Sequence, residues 1–233
     1  MFPLFYGFDP TFIVLIPAIL FTFYAKFKVD STFNKYLGVE ASSRKTGAQV
    51  ARDLLDQNHL YDVPVELTPG TLSDHYDPRR RVLRLSPEVY HGRSLASLGV
   101  AAHETGHAVQ HSQAYFPLVL RNTIVPIANI GTNLGWYLFL FGLIFNSNML
   151  MIDLGILLFS FSVLFTLVTL PVEFNASSRA MDMLVASGYV VQGQEESGTK
   201  KVLNAAALTY VAAAAMAIFQ LLRMLLIRGR RND

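Results

Sequence analysis

The sequence predicts a mainly α-helical membrane protein with about four transmembrane helices and one small α+β domain. Of its 233 residues 52% are hydrophobic, and the mean hydropathy is +0.35, which is more apolar than a soluble domain of this length. The apolar residues are also concentrated in four runs, each close to the length that crosses a bilayer. Between the first and second runs lies one long polar stretch, which is where the α+β domain is expected.

Composition excludes several kinds of chemistry and partner. The formal net charge is only +2 and cysteine is absent, so we expect no nucleic-acid partner, no disulfide and no thiolate nucleophile. Any metal ion must therefore be held by His, Asp or Glu. The segment Met1 to Asp9 carries no basic residue and is not followed by a small-residue cleavage pattern, so we expect a retained span, not a cleaved signal peptide.

The first apolar run extends from Pro10 to Ala25 and is closed by Lys26 and Lys28. We assign residues 1–28 to an N-terminal transmembrane helix, although the run is slightly shorter than the roughly 20 residues that a bilayer needs. Pro17 lies inside the run and predicts a kink, because proline lacks the backbone N–H that a helix interior uses.

Residues 29–122 have the composition of a soluble domain, with charges, turn residues and the six histidines. Apolar residues recur at helical spacing from Ser43 to His59, which predicts an amphipathic helix. Ser42 or Ser43 can cap its N-terminus, because a serine hydroxyl accepts a hydrogen bond from the first free backbone N–H groups.

Two short runs typical of β-strands follow, Val63 to Leu67 and Arg81 to Leu85, separated by the turn-like segment Ser73 to Pro78. We expect the two runs to pair as a small sheet. If Arg81 to Leu85 is an edge strand, an extended substrate can pair with its free backbone groups; the alternative is a plain structural hairpin. Ser86 to Glu88 then has the pattern of a helix start.

The next helix, predicted from Ser94 to Gln113, carries the motif HExxH in an apolar setting. Residues four apart lie on one helix face, so His103 and His107 can direct both imidazoles at one metal ion. Glu104 then stands beside a metal-bound water. This pattern indicates a zinc hydrolase and a zincin-like catalytic domain; the alternative is a helix whose histidines are satisfied by hydrogen bonds alone.

The second and third apolar runs, Ile124 to Phe145 and Met149 to Leu170, are separated only by Asn146 to Asn148. Each is long enough to span a bilayer, so residues 123–172 are predicted to form a transmembrane helical hairpin. The tight turn returns the chain to the membrane face that it left. Asp153 lies near the turn, where an interfacial position is more typical than a buried functional one.

After the hairpin, residues 173–202 are predicted to form a helix and a polar loop, and residues 203–233 a C-terminal membrane helix with a basic tail. The apolar part of the last segment is Ala205 to Leu222. It is followed by Arg223, Arg228, Arg230 and Arg231.

Basic residues predict the orientation, because loops rich in lysine and arginine stay in the cytosol. Nine of them flank the polar domain or lie in the later loop on the same side: Lys26, Lys28, Lys35, Arg44, Lys45, Arg121, Arg179, Lys200 and Lys201. We therefore expect a multi-pass protein of the cytoplasmic membrane with its catalytic site facing the cytosol. If the fourth segment crosses fully, the arginines of the tail lie outside, which is contrary to this rule. The sequence leaves open whether the segment crosses the membrane or lies at its interface.

A catalytic zinc of this type has three protein ligands, so the motif needs one more. His111 lies about 12 Å beyond His103 along an unbroken helix and is too far to share the ion. Glu173 follows the hairpin on the same membrane face, and we favour it as the third ligand by analogy with His₂Glu sites. Asp182 is the fallback ligand, and His75 can approach as a donor that polarises the substrate.

Several segments together resemble a known family. They are Ala-Ala-His103-Glu104-Thr-Gly-His107-Ala, Glu173-Phe-Asn-Ala-Ser-Ser-Arg179-Ala, Ser73 to Pro78 and Ser94 to Ala96. Set around a membrane hairpin, they resemble the YugP-type family of neutral membrane zinc metallopeptidases. More distantly the chain is similar to the HtpX and CaaX-prenyl-protease group of membrane gluzincins, whose second motif has the form ExxxD.

The resemblance implies that His103, His107 and Glu173 bind zinc and that Glu104 is the catalytic carboxylate. One position departs from the ExxxD pattern, because the fourth residue after Glu173 is Ser177 and not Asp.

The carboxylate that this Asp supplies in the related group orients a ligand histidine. In this chain Asn175 or Asp182 can orient the ligand histidine instead. Arg179 can pair with an acidic neighbour or hold a substrate carbonyl.

These observations favour a membrane-embedded zinc metalloendopeptidase that hydrolyses peptide bonds with Glu104 as general base and acid. The expected partners are the lipid bilayer and a polypeptide substrate in or near the membrane. Another divalent metal can replace zinc in such a site. The alternative function is a non-catalytic membrane scaffold or chaperone-like protein with a structural or vestigial metal site.

Overall fold

The structure is a computed structural model that describes residues 10–145 and 148–230. The expectations for Met1 to Asp9, for Asn146 and Ser147 of the hairpin turn, and for Arg231 lie outside the described residues. A 3₁₀ turn, Pro10–Leu15, leads into α1 (Ile16–Leu37), α2 (Gly47–Gln57), β1 (Val65–Leu67), β2 (His75–Asp77), β3 (Val82–Leu85), α3 (Pro87–Tyr90), α4 (Leu95–Ser112), α5 (Phe116–Ile144), α6 (Met149–Ala186) and α7 (Gln194–Gly229).

The chain divides into two compact units. The site unit comprises Ala25–Leu120 and Thr169–Tyr210. The membrane unit comprises the described residues up to Tyr24, Arg121–Val168 and the chain from Val211 onward. Helices α1, α6 and α7 each pass from one unit to the other without a break.

Within the described part of the chain four helices are long and apolar enough to cross a membrane: the N-terminal segment Pro10–Leu37 and helices α5, α6 and α7. Large apolar side chains remain exposed on them, including Ile13 at 68%, Phe23 at 68% and Leu150 at 69%. In a bilayer these apolar side chains contact lipid and are not exposed to water. The predicted mainly helical, multi-pass membrane protein is therefore confirmed, and Pro17 lies in the first turn of α1, where proline is tolerated.

Close contacts between α5 and α6 hold the membrane unit together. A methyl group on Gly135 would lie 2.9 Å from the carbonyl oxygen of Gly155, and one on Gly155 would lie 2.6 Å from the backbone nitrogen of Phe139. Small residues at facing positions let transmembrane helices approach closely. Ile152 and Met224, both fully buried, complete a small core with Phe139.

Asp153 forms an ion pair with Arg228, whose Nε lies 3.0 Å from the carboxylate. Both side chains are about half exposed, which suits the interfacial position expected of Asp153. Asp153 stands in the second turn of α6, beside the hairpin turn, while Arg228 stands in the last turn of α7. The last turn of α7 therefore lies at the end of the membrane unit where α6 begins.

Helix α2 is shorter than predicted and begins at a different cap. Thr46, not Ser42 or Ser43, is the N-cap, and its hydroxyl accepts from the Gln49 backbone N–H while the Gln49 side chain accepts from Thr46. This reciprocal capping box stabilises the first turn better than a single serine can. The predicted apolar face is fully buried, with Val50, Ala51, Leu54 and Leu55 at 0% exposure.

The sheet has three strands in the order β1-β3-β2, one more than predicted. The two predicted strands do pair, but in parallel, with Val65 opposite Leu83. The extra strand β2 forms inside the segment Ser73 to Pro78 and pairs antiparallel with β3. Two expectations were therefore wrong: Ser73 to Pro78 is not only a turn, and Arg81 to Leu85 contains the central strand β3, not an edge strand.

Two other boundaries differ from the expected ones. Helix α6 continues through Pro171, so Glu173 lies in a helix interior and not at the start of a helical stretch. Helix α7 begins at Gln194, so Lys200 and Lys201 are helical and do not lie in a loop. At Pro171 packing in the site unit, where Val172 is 0% exposed, holds a turn that proline alone does not favour. At the start of α7, Glu195 and Glu196 lie in the first turn, where negative charge stabilises a helix.

Candidate metal centre

The helix that carries the motif matches its predicted limits. Ser94 caps α4 by accepting a hydrogen bond from the Ser97 N–H at 3.1 Å, and Gln113 ends the helix. Most of α4 is buried in the site unit. The rings of His103 and His107 meet edge to face with centroids 4.7 Å apart, as expected for residues one turn apart on one face.

Glu173 of α6 meets both imidazoles. Its Oε2 lies 3.3 Å from Nε2 of His103 and 3.4 Å from Nε2 of His107, and its side chain is 4% exposed. Four-coordinate zinc with bonds of about 2.0–2.1 Å separates its ligand atoms by about 3.3–3.4 Å. The two imidazole nitrogens and the carboxylate oxygen therefore fit a zinc ion in type and in spacing. Among residues 10–145 and 148–230, these three side chains lie close enough together to bind one metal ion.

Gly106, inside the motif, lets α4 and α6 approach each other. A methyl group there would lie 2.7 Å from the carbonyl oxygen of Ala176 and 3.3 Å from its Cα. Ala176 is itself fully buried and lies one turn beyond Glu173 on α6. The small residue at this position thus sets the distance between the histidine pair and the carboxylate.

Gln110 orients His107, a role that was not predicted from the sequence. The side chain is 0% exposed, and its Nε2 donates to the Val172 carbonyl and to Asn175 Oδ1, both at 2.9 Å. Its Oε1 must then accept from Nδ1 of His107, 3.0 Å away, which fixes the tautomer and leaves Nε2 of His107 free to bind a metal. A buried glutamine three residues after a histidine on one helix face is the signal that could have found it.

Ser177 contacts the other histidine, although it departs from the ExxxD pattern. Its Oγ lies 3.2 Å from Nδ1 of His103. Of the residues expected to replace the missing carboxylate, Asn175 binds Gln110 instead of a histidine, and Asp182 is exposed and stands outside the group of three. A hydroxyl therefore partners His103 where a carboxylate was expected.

Arg179 has amide partners, contrary to the expected acidic one. Its Nε donates to Asn175 Oδ1 at 2.8 Å, and its Nη1 donates to Gln113 Oε1 at 2.7 Å. The guanidinium also lies over the ring of Tyr115, 5.9 Å from its centroid. These contacts tie the end of α4 to α6, so the side chain helps to hold the two helices that bear the site.

Glu104 lies beside the edge of the sheet. It is 8% exposed, and its Oε2 accepts a hydrogen bond of 2.9 Å from the backbone N–H of Tyr76 in β2. The hydroxyl of Tyr76 meets Nδ1 of His111 at 2.9 Å, so His111 has a partner outside the group of three. Strand β2, which was not predicted from the sequence, thus fixes the motif carboxylate.

Asp74 anchors the start of that strand. Its carboxylate accepts from the Ser86 backbone N–H at 2.7 Å and from the Ser86 hydroxyl. Burial raises the pKa of the Asp74 carboxyl and the charge of Glu104 adds to this, while the hydrogen bonds from Ser86 act in the opposite direction. The site thus contains two acidic groups besides Glu173.

The neighbouring carboxylates change the pKa of His107. Burial lowers the pKa of this imidazole, but the hydrogen bond to Glu173 and the charge of Glu104 outweigh burial and raise the pKa overall. The pocket therefore stabilises positive charge at this position, which favours either a proton or a metal ion.

The upstream histidines have local partners. His59 meets the hydroxyl of Tyr61, and Nδ1 of His75 lies 2.8 Å from the Ser73 carbonyl. His91 packs edge to face on Tyr90. All three lie outside the group formed by the motif pair and Glu173, and the expected substrate-polarising role of His75 stays a prediction.

The fold and the cluster define a multi-pass membrane protein with a candidate His₂Glu metal site. The chain belongs to the family described as "putative neutral zinc metallopeptidase", whose model matches residues 11–229. It is 55% identical over 220 residues to a Bacillus subtilis (strain 168) protein described as "Putative membrane protease YugP", and the match covers 94% of this chain and 97% of the relative. No solved structure matches the chain. The family resemblance drawn from the sequence is confirmed.

Proposed function

We propose that the protein is a zinc-dependent metalloendopeptidase of the gluzincin type, embedded in the membrane, with His103, His107 and Glu173 as zinc ligands. One observation supports this most strongly. A carboxylate from a distant part of the chain lies within 3.4 Å of both motif histidines, at the spacing of a tetrahedral zinc site. Family membership supports the same assignment.

Zinc, when bound, acts as a Lewis acid that polarises a carbonyl oxygen and lowers the pKa of water. Glu104 is the general base: its buried carboxylate takes the proton of the attacking water and later delivers it to the leaving amine. The Tyr76 N–H fixes one carboxylate oxygen of Glu104, so the other oxygen remains free to accept the proton and to donate it later. Gln110 and Ser177 hold the two imidazoles in orientation throughout.

Strand β2 is the proposed docking edge for a polypeptide substrate. It pairs with β3 on one side, and the N–H of Tyr76 points away from that side, toward Glu104. In an antiparallel strand the carbonyl of the same residue points the same way. The N–H of Tyr76 already donates to Glu104, so the Tyr76 carbonyl is the group that can accept from the backbone N–H of an extended peptide. The scissile bond of that peptide then lies near Glu104.

We infer that the site unit faces the cytosol. Eight of the nine basic residues named for orientation lie in this unit, and the ninth, Arg121, begins the membrane-unit segment that follows it. The Asp153–Arg228 pair supports a fourth helix that crosses fully, so the arginines of its last turns lie on the opposite side. The cytosolic assignment then depends on the larger number of basic residues at the site unit.

The test compares two variants of the full-length protein in detergent or liposomes. Glu104→Gln should keep one zinc ion per chain and lower the cleavage of a fluorescently labelled casein by about 10²–10⁴-fold, since it removes the proton acceptor alone. Glu173→Ala should lose both zinc and cleavage. Wild-type cleavage by Glu104→Gln would contradict the mechanism, and wild-type zinc content in Glu173→Ala would reassign the third ligand. A scaffold protein would tolerate Glu104→Gln but unfold on removal of the metal.

A further inference from the structure

A second candidate site lies away from the metal centre, in a groove between α1 and α7 of the site unit. The groove has a volume of about 610 Å³. Three lysines line it, Lys28 and Lys35 from α1 and Lys201 from α7. Ser31 and Asn204 add hydroxyl and amide groups, one from each helix.

The groove is positively charged, although Lys201 also lines a neighbouring pocket with Glu40 and Glu195. Lys28 and Lys35 are seven residues apart, so both project from one face of α1. Among the residues that the structure describes, the lining of the groove contains no aspartate or glutamate. Among the described residues these three lysines form no ion pair, in contrast to Lys45, which pairs with Asp53. Three ammonium groups that share one groove favour an anionic ligand.

The groove lies where both helices meet the bilayer. Lys28 follows the end of the first apolar run by three residues, and Lys201 precedes the last apolar run by four. Tyr24, one turn before Lys28 on the same face, is 54% exposed, as is typical of aromatic residues at a membrane interface. The lysines therefore stand at the depth of lipid head groups.

An apolar surface continues from the charged part of the groove. The buried Ala205 and the half-buried Leu208 line the groove on α7, one and two turns after Lys201. A ligand with an anionic head group and a hydrocarbon tail fits this groove, because the charged part is followed by an apolar part. An acidic polypeptide matches only the charge.

We propose that this groove binds the phosphate head group of an anionic phospholipid from the surrounding bilayer. The ammonium groups of the lysines pair with the phosphate oxygens, and Asn204 donates a further hydrogen bond. The acyl chains follow Leu208 and the apolar face of the two helices into the membrane. The lipid joins the end of the first span to the start of the last, and this role is independent of the proposed peptidase activity.

The experiment counts lipids on the full-length protein by native mass spectrometry, with phosphatidylglycerol as the anionic probe and phosphatidylcholine as the zwitterionic one. The groove variant is Lys28→Gln/Lys201→Gln. Its matched control is Lys26→Gln/Lys200→Gln, which removes the same charge from the same helices at exposed residues outside the groove. Lys28→Arg/Lys201→Arg keeps the charge and checks that the double change at these positions leaves the protein folded.

Wild type, control and arginine variant should retain phosphatidylglycerol in preference to phosphatidylcholine. The groove variant should bind it about thirty-fold more weakly, because each lysine near a membrane surface contributes about five-fold. Equal affinities in the groove variant and wild type would overturn the proposal. Equal weakening by the control would also overturn it, since it would indicate general attraction to a basic surface. Displacement of the lipid by inorganic phosphate or by polyglutamate at equal concentration would assign the groove to a soluble ligand or a protein partner instead.

Discussion

Replacing Gly106 by alanine tests how the two helices of the metal centre are held. The added methyl group would lie 2.7 Å from the carbonyl oxygen of Ala176, whereas ordinary contacts begin near 3.4 Å. Helix α6 must therefore move away from α4 by about 0.3–0.7 Å. Glu173, one turn from Ala176 on α6, moves with it.

A displacement of that size exceeds what a zinc site accepts, because ligand distances must stay within about 0.2 Å of their ideal values. We expect the affinity for zinc to fall by at least about tenfold, the lower limit seen when groups that merely orient the ligands are removed. The fold should survive the change. Overpacking costs about 1–3 kcal/mol, and the better helix propensity of alanine offsets about 1 kcal/mol of it.

Zinc affinity is measured by competition with a chromophoric chelator, and folding by thermal melting of the metal-free protein. Gly99→Ala is the matched control, since it gives α4 the same gain in helix propensity but places its methyl 3.0 Å from a side-chain methyl of Thr199. Its zinc affinity should stay within about twofold of wild type, as expected for a contact that a side chain can relieve. If Gly106→Ala binds zinc as tightly as Gly99→Ala, the spacing of α4 and α6 does not set the ligand geometry.

Two further predictions concern the partners of the histidines and the path of α7. Gln110→Leu should weaken zinc binding about 10–100-fold, because His107 loses the acceptor that fixes its tautomer; Ser177→Ala should have a smaller effect, since its 3.2 Å contact is longer. Zinc affinities equal to wild type in both variants would show that the imidazoles need no such support. The chain has no cysteine, so Gln192→Cys and Arg230→Cys can be labelled singly with an impermeant maleimide in sealed vesicles. The 36 residues of α7 extend about 54 Å, so the two sites should react from opposite sides, and reaction from one side would contradict a spanning helix.

Local signals were enough to predict the elements that carry the motif. Helix α4 runs from Leu95 to Ser112, one residue inside each predicted end, because Ser94 is a good cap and the apolar pattern has helical period. The four membrane helices follow equally well from the length of their apolar runs.

The features that the sequence hid depend on contacts between distant segments. Strand β2 forms within a segment rich in turn residues because it pairs with β3 and donates to Glu104, and β-structure depends strongly on such context. Pro171 looked like a helix end, but α6 continues through it. The roles of Gln110 and Ser177 could be seen only once α6 was placed beside α4.

The most direct test of the proposed metal centre is diffraction from zinc-loaded crystals at the zinc absorption edge. One anomalous peak is expected at bonding distance, about 2.0–2.2 Å, from Nε2 of His103, Nε2 of His107 and a carboxylate oxygen of Glu173. A peak that the two histidines hold without Glu173, or a peak at other residues, would contradict the proposed metal centre.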